Sequence, residues 1–339
     1  SSEVPLPPTG IYEADPPTCE AAAASKSYVG CDYFPTVTAN VVASIFDYAV
    51  VVANHQPVAV EVTVTGGAGS PGGEIAPRKV TVPAGGTEKI FLPWVRPLKI
   101  WDEPPEKVAC AEYTPRAESV LARNGAYRLQ ASAPVVVYQF NPIEYSSKGG
   151  PAGKDWSTCP GLKSCQRDPN KPFQIGCFSF TNDASLLLPA TALTGTVRLN
   201  TPPIWEELGN PLLAPFVSLV ATTDGTEVAV ATPSAPLPVA GATTESLSGS
   251  GPNRFLTRAT LNAGDVLQLS ANLALGERFS GGLVTANHPI QVLSGIPCSN
   301  VPVGVAAGYC DHLEEALPPA ESLGQSYVVS PSTGPAGTA

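Results

Sequence analysis

Proline recurs along the whole of this chain, 37 times in 339 residues, and that density leaves little room for helices of ordinary length. A proline inside a helix removes a backbone donor and drives its ring into the preceding turn. Yet 43% of the residues are hydrophobic, so the apolar surface needed for a core is present and the chain is no disordered tract. Short strands joined by many turns reconcile the two observations. The expected fold class is all-β.

The hydrophobic pattern supports that reading. After a proline-rich leader, residues 1–24, an apolar run over 46–53 and a period-two alternation over 58–65 flank the turn residues Asn54, His55, Gln56 and Pro57, which predicts a hairpin. Residues 79–82 and 88–92 flank Ala84-Gly85-Gly86, and 127–130 and 135–140 flank Ser132-Ala133-Pro134, predicting two more. A short strand is expected at 27–29. The second half shows the same order: 216–221 with 227–231, 259–261 with 266–269, and 283–285 with 290–293. The stretch Leu186 to Gly195 also aligns with Glu315 to Gly324, each followed by a short strand signal. Recurrence of features in one order predicts tandem β-sandwich-like domains, 25–199 and 200–339, with decorated loops; a β-propeller-like arrangement is the alternative.

Eight cysteines stand at positions 19, 31, 110, 159, 165, 177, 298 and 310. None forms a Cys-x-x-Cys pair, and three histidines are too few for several zinc sites, so disulfides of an oxidising compartment are the simpler account. Spacing suggests Cys19–Cys31 and Cys298–Cys310. Among the other four, Cys159–Cys165 with Cys110–Cys177 is favoured, although three pairings are possible. The expected location is extracellular or the cell surface.

The net charge is −10, and the 19 basic residues are scattered. Nucleic acid is excluded as a partner, because no basic patch is available to displace counterions. The most apolar stretch, near 41–60, is broken by Asp47, Asn54, His55 and Pro57, and no transmembrane segment is expected. Ser248-Gly249-Ser250-Gly251 lacks the strand-to-helix context of a nucleophile elbow, and Gly149 to Asp155 lacks the Gly-Lys-Ser/Thr spacing of a phosphate loop. The chain does not read as an enzyme.

Asn287 to Gly295, then Cys298, then Cys310-Asp311-His312-Leu313-Glu314-Glu315-Ala316-Leu317-Pro318-Pro319 resembles the IgG-Fc-binding-protein N-terminal domain family. That family is similar in its strand ending in Ser-Gly, a cysteine, and a Cys-Asp-His-Leu-x-Glu-x-Leu-Pro-Pro motif, and the resemblance covers roughly 212–332. Tyr28 to Thr36 resembles the start of large secreted bacterial members, whereas Asn182-Asp183-Ala184-Ser185-Leu186 replaces the motif in the first half. The resemblance implies an extracellular, non-catalytic, sheet-rich module of a larger surface protein.

Among titratable groups, Asp311, His312 and Glu315, with Glu314 beside them, are the weak candidates for a metal site. The structural alternative has Asp311 capping a turn or short helix over 313–317. No cofactor is expected; calcium is possible through loop carboxylates such as Asp102, Glu103 and Glu106. Trp94, Trp101, Trp156 and Trp205 stand in loop-like sequence, and Trp101 and Trp156 are the candidates for a binding surface. The leading expectation is a binding, adhesion or structural module that meets a protein or glycan at a cell surface, or copies of itself through β-edges. The alternatives are a calcium- or metal-dependent glycan-binding or glycan-processing protein, and an immunoglobulin-Fc-binding receptor.

Overall fold

The computed structural model describes residues 15–42, 46–70, 72–100, 118–144, 183–207, 210–249, 251–272, 278–299 and 311–326. Among the described residues it is all-β apart from one short helix and isolated 3-10 turns. Helix α1 (Cys19–Ser25) is begun by Thr18, whose hydroxyl accepts from the Ala21 N–H. The strands follow as β1 (Gly30–Tyr33), β2 (Tyr48–Ala53), β3 (Val60–Gly66), β4 (Ile75–Val82), β5 (Thr87–Leu92), β6 (Val120–Ala122), β7 (Tyr127–Phe140) and β8 (Ala184–Leu186). The second half supplies β9 (Thr196–Arg198), β10 (Trp205–Glu207), β11 (Asn210–Leu213), β12 (Phe216–Ala221), β13 (Thr226–Thr232), β14 (Ala242–Ser246) and β15 (Phe255–Leu261). It ends with β16 (Val266–Ser270), β17 (Leu283–Ala286), β18 (Ile290–Ser299) and β19 (Asp311–Ala316).

None of the expected hairpins is one. β2 pairs with β5 and β7, whereas β3 pairs with β4 and β7. The chain at residues 54–59 therefore crosses from one sheet to the facing sheet. The same crossing separates β4 from β5, β12 from β13, β15 from β16, and β17 from β18. The break expected at Ser132-Ala133-Pro134 is absent, because β7 runs straight through it. Its first half pairs with β3 and β1 and its second half with β2 and β8, so one long strand serves two sheet leaves. Turn residues mark a reversal, but they do not say whether the reversed strand pairs with its predecessor or faces it across a core.

Two sheet pairs result. The first sets the leaf β4-β3-β7-β1 against the leaf β5-β2-β7-β8. The second sets β14-β15-β13-β17-β9 against β19-β18-β12-β16-β6. The strand order of one pair matches that of the other when β1, β2, β3, β4, β5 and β8 are laid on β9, β12, β13, β15, β16 and β19, and the halves of β7 on β17 and β18. Alternation fixes which side faces in. β3 and β13 share one burial pattern, with Val62 and Val64 in the first core and Val228 and Val230 in the second. Each such side chain contributes roughly 1.5–3 kcal/mol on burial, so a one-residue slip of register is strongly disfavoured.

The two pairs interlock. β6 precedes β7 in the chain yet pairs with β16 of the second pair. Val220, Val266 and Leu293 of the second pair pack in the first core. Consequently β12, β16 and β18 are buried along their whole length. A sheet covered on both faces reads as continuous apolar sequence, and that is the texture of β12 and β18.

Candidate functional site

The most concentrated polar chemistry lies where the two sheet pairs meet. After β1, residues 34–40 belong to no regular element and are all buried. A buried strap of this kind must find partners for its backbone groups. Here the partners come from both sides: the Thr36 N–H donates to Gln139 Oε1 (2.8 Å) and the Thr38 N–H to Asn141 Oδ1 (3.3 Å), while the Ala39 N–H donates to Gln268 Oε1 of the second pair (3.0 Å). Gln291 Nε2 donates back to the Phe34 carbonyl at 2.8 Å.

Glu314 closes this seam. It sits on β19 with its carboxylate inside the cluster, 5% exposed as a residue. Oε1 accepts from Gln139 Nε2 (2.9 Å) and Ser185 Oγ (3.0 Å). Oε2 accepts from Thr38 Oγ1 (2.5 Å) and Asn141 Nδ2 (2.9 Å), and lies 3.4 Å from His312 Nε2. The Glu314 N–H donates to Asp183 Oδ2 at 2.7 Å. Burial alone would push this carboxyl up; the hydrogen bond and charge of His312, with Thr38 and Gln139 as further donors, outweigh burial and hold it below the usual carboxylate value. His312 stacks on Phe216 with ring centroids 6.2 Å apart. Gly295 on β18 permits the close approach: a Cβ there would run into the Leu313 carbonyl and the Phe216 ring.

The structure corrects one local expectation. Residues 311–316 form strand β19, not a capped turn or helix. Period-two alternation sends His312 and Glu314 inward and leaves Asp311 and Glu315 exposed. The three weak metal candidates Asp311, His312 and Glu315 are thus not brought together. Among the described residues no group of three or more His, Cys, Asp or Glu is placed to hold a metal. Thr38, Gln139, Asn141 and Ser185 were not singled out from sequence. The available signal was the alternation of Thr36, Thr38 and Asn40 with Val37 and Ala39 between β1 and β2, where no strand partner is evident.

Other sites are placed as follows. Cys19 and Cys31 form a disulfide with Cα atoms 5.7 Å apart, tying α1 to β1. Cys298 is disulfide-bonded, its partner lying outside the described residues. Cys110, Cys159, Cys165, Cys177 and Cys310, together with Trp101, Trp156 and the Asp102–Glu106 loop, also lie outside them. Trp94 is a core residue whose Nε1–H donates to the Phe46 carbonyl at 2.5 Å, with Lys99 Nζ 4.4 Å from its ring. His55 is exposed and meets Asp15 at 2.8 Å.

The described residues thus form two β-sandwich-like sheet pairs that meet at a buried carboxylate whose oxygens are fully hydrogen-bonded. Residues 183–339 match the family model of the IgGFc binding protein, so the resemblance carried by the Cys-Asp-His-Leu-Glu stretch holds over this part of the chain. The matched residues begin at Asp183 and so include β8 as well as β19. The likeness of Tyr28 to Thr36 to large secreted bacterial members falls outside the match. No curated protein and no solved structure matches the chain. No helix among the described residues is long and apolar enough to cross a membrane.

Proposed function

We propose that this chain is an extracellular, non-catalytic protein-binding module of a surface protein, built from two duplicated units that meet after β8. The observation that carries the reading is the role of Glu314. The most elaborately ligated carboxylate among the described residues is carried by β19 of the second sheet pair and held by four side chains of the first. A carboxylate saturated in this way fixes geometry; it has no lone pair left for a substrate. The match to a binding-protein family supports the same reading, as does the disulfide that ties the start of the first unit.

Adhesion or self-association would use sheet edges. The outer edge of β4 carries Pro77, Arg78 and Lys79, which guard it against pairing. β14 is the less guarded edge, with Thr243, Thr244, Glu245 and Ser246 exposed. The test is binding of the full chain to immobilised immunoglobulin Fc, to extracellular-matrix proteins and to itself, alongside sedimentation velocity. Saturable binding to any of these supports the module. Turnover of a glycan or peptide substrate without stable binding would replace this reading with an enzymatic one.

A further inference from the structure

The registers of the two sheet pairs place the first-pair residues Gln139, Ser185 and Thr36 to Thr38 of the Glu314 seam on counterparts in the second pair. β2 pairs Ala49 with Phe140, and β12 pairs Phe216 with Gly295. Phe140 in turn pairs with Ala184, and Gly295 with Glu314. By the same count Gln139 corresponds to Ser294 and Ser185 to Glu315. Tyr33 opposite Leu129 corresponds to Val197 opposite Val284, which lays Thr36, Val37 and Thr38 on Asn200, Thr201 and Pro202. Two hydrogen bonds agree with the correspondence at the level of residues: the Thr36 N–H donates to Gln139 Oε1, and Ser294 Oγ donates to the Asn200 carbonyl.

In the first pair this position is filled by the Glu314 side chain of the second. In the second pair the corresponding position is an open cleft of about 540 Å³, lined by Asn200, Thr201, Pro202, Ser294, Glu315 and Asp183 among others. Its polarity is reversed. Where the filled site offers Gln139, Asn141, Thr38 and Ser185 as donors to a carboxylate, the open one presents the carboxylates of Asp183 and Glu315.

We infer that this cleft is a docking site for a lysine or arginine side chain carried on an extended segment of a protein partner. The inference rests on the protein-binding reading above and gives that partner a chemistry. Two observations carry it independently: the occupied counterpart shows that a side chain presented by a neighbouring strand enters this position, and the acidic lining sets the sign of its charge. A guanidinium would take two oxygens at once, the geometry in which arginine pairs best with carboxylates. Burial raises both Asp183 and Glu315 above the ordinary carboxylate value, the direction that an incoming cation would reverse.

The experiment uses the full chain and the peptide acetyl-Thr-Val-Arg-Val-Thr-amide, with glutamate and leucine versions of its central residue as controls, read by calorimetry or NMR titration. The arginine peptide should bind, and Glu315→Gln should weaken it at least tenfold. Glu245→Gln, at an exposed acid of β14, should leave it unchanged. Equal binding of the glutamate or leucine peptide, or equal weakening by Glu245→Gln, overturns the assignment. So does a rise in melting temperature with calcium chloride alone that Glu315→Gln abolishes, which would make the cleft a metal site. A protein partner captured equally by wild type and Glu315→Gln would sink the cleft while leaving the binding reading in place.

Discussion

At the scale of single residues, Glu314 concentrates the consequences of the seam. Replacing it with alanine leaves Thr38, Gln139, Asn141, Ser185 and His312 facing a void without their shared acceptor. Breaking a buried pair of this kind costs about 3–5 kcal/mol, and Glu314→Ala should lower stability by that amount in a denaturant titration. Glu314→Gln keeps one acceptor oxygen and should cost less. Its pH dependence has a definite sign. The Glu314 carboxyl is held below its usual value in the fold, so its contribution is present above the unfolded-state value and fades as pH falls through the folded one. The stability gap between wild type and Glu314→Gln should therefore be widest near neutrality and narrow on acidification; a gap that widens in acid would contradict the assignment. The sequence pointed to this stretch but to the wrong neighbours. Leu313, Glu314, Glu315 and Ala316 are good helix formers, a local preference compatible with the turn or short helix expected after Asp311. Pairing with β18 overrides it and selects His312 and Glu314 by alternation.

At the scale of elements, the joint between the sheet pairs depends on a strand only three residues long. β6 adds to the edge of β16, and Asp265 anchors its exit: Oδ2 accepts from Arg123 Nη1 (2.6 Å) and from the Asn262 N–H (2.8 Å), and Oδ1 from the Asn124 N–H (2.8 Å). Asp265 is 3% exposed, and leaving such donors unmatched costs about 1–3 kcal/mol. Asp265→Ala should lose that much and speed amide exchange in β6 and β16 before the rest of the second pair. The corresponding edge strand of the first pair, β5, carries Glu88 and Lys89 where β16 has Leu267 and Gln268, a charged edge that discourages a fifth strand from adding to its leaf. Another element-scale tie is Cys19–Cys31. A disulfide closing a loop of this size contributes roughly 2–4 kcal/mol, so the double change to serine should lower the melting temperature and release α1 first. Period-two runs made the strands legible, and proline made the class legible. The partners of those strands were not legible, because Asn54 to Pro57 or Ala84 to Gly86 reads alike whether the next strand lies beside or across.

At the scale of the whole molecule, the question is whether the two sheet pairs unfold as one. Domains joined by a flexible linker would melt separately, with the less stable going first. Here the coupling runs through three unlike contacts: β6 in a sheet of the other pair, Val220, Val266 and Leu293 in the first core, and the strap whose N–H groups alternate between Gln139, Asn141 and Gln268. Separating the pairs would expose the apolar side chains of Val220, Val266 and Leu293, unpair β6 from β16 and leave the Ala39 N–H without Gln268. The expected outcome is a single calorimetric transition with matching calorimetric and van't Hoff enthalpies. Weakening the coupling without touching either core should divide it. Glu314→Ala combined with Asp265→Ala removes two of the polar ties while leaving the valines and leucines of both cores in place. That double variant should show two resolved transitions and faster proteolysis within residues 34–42, with circular dichroism unchanged below the first. One sharp transition in the double variant would mean that the apolar contacts alone join the pairs, and that the polar seam sets their orientation without holding them together.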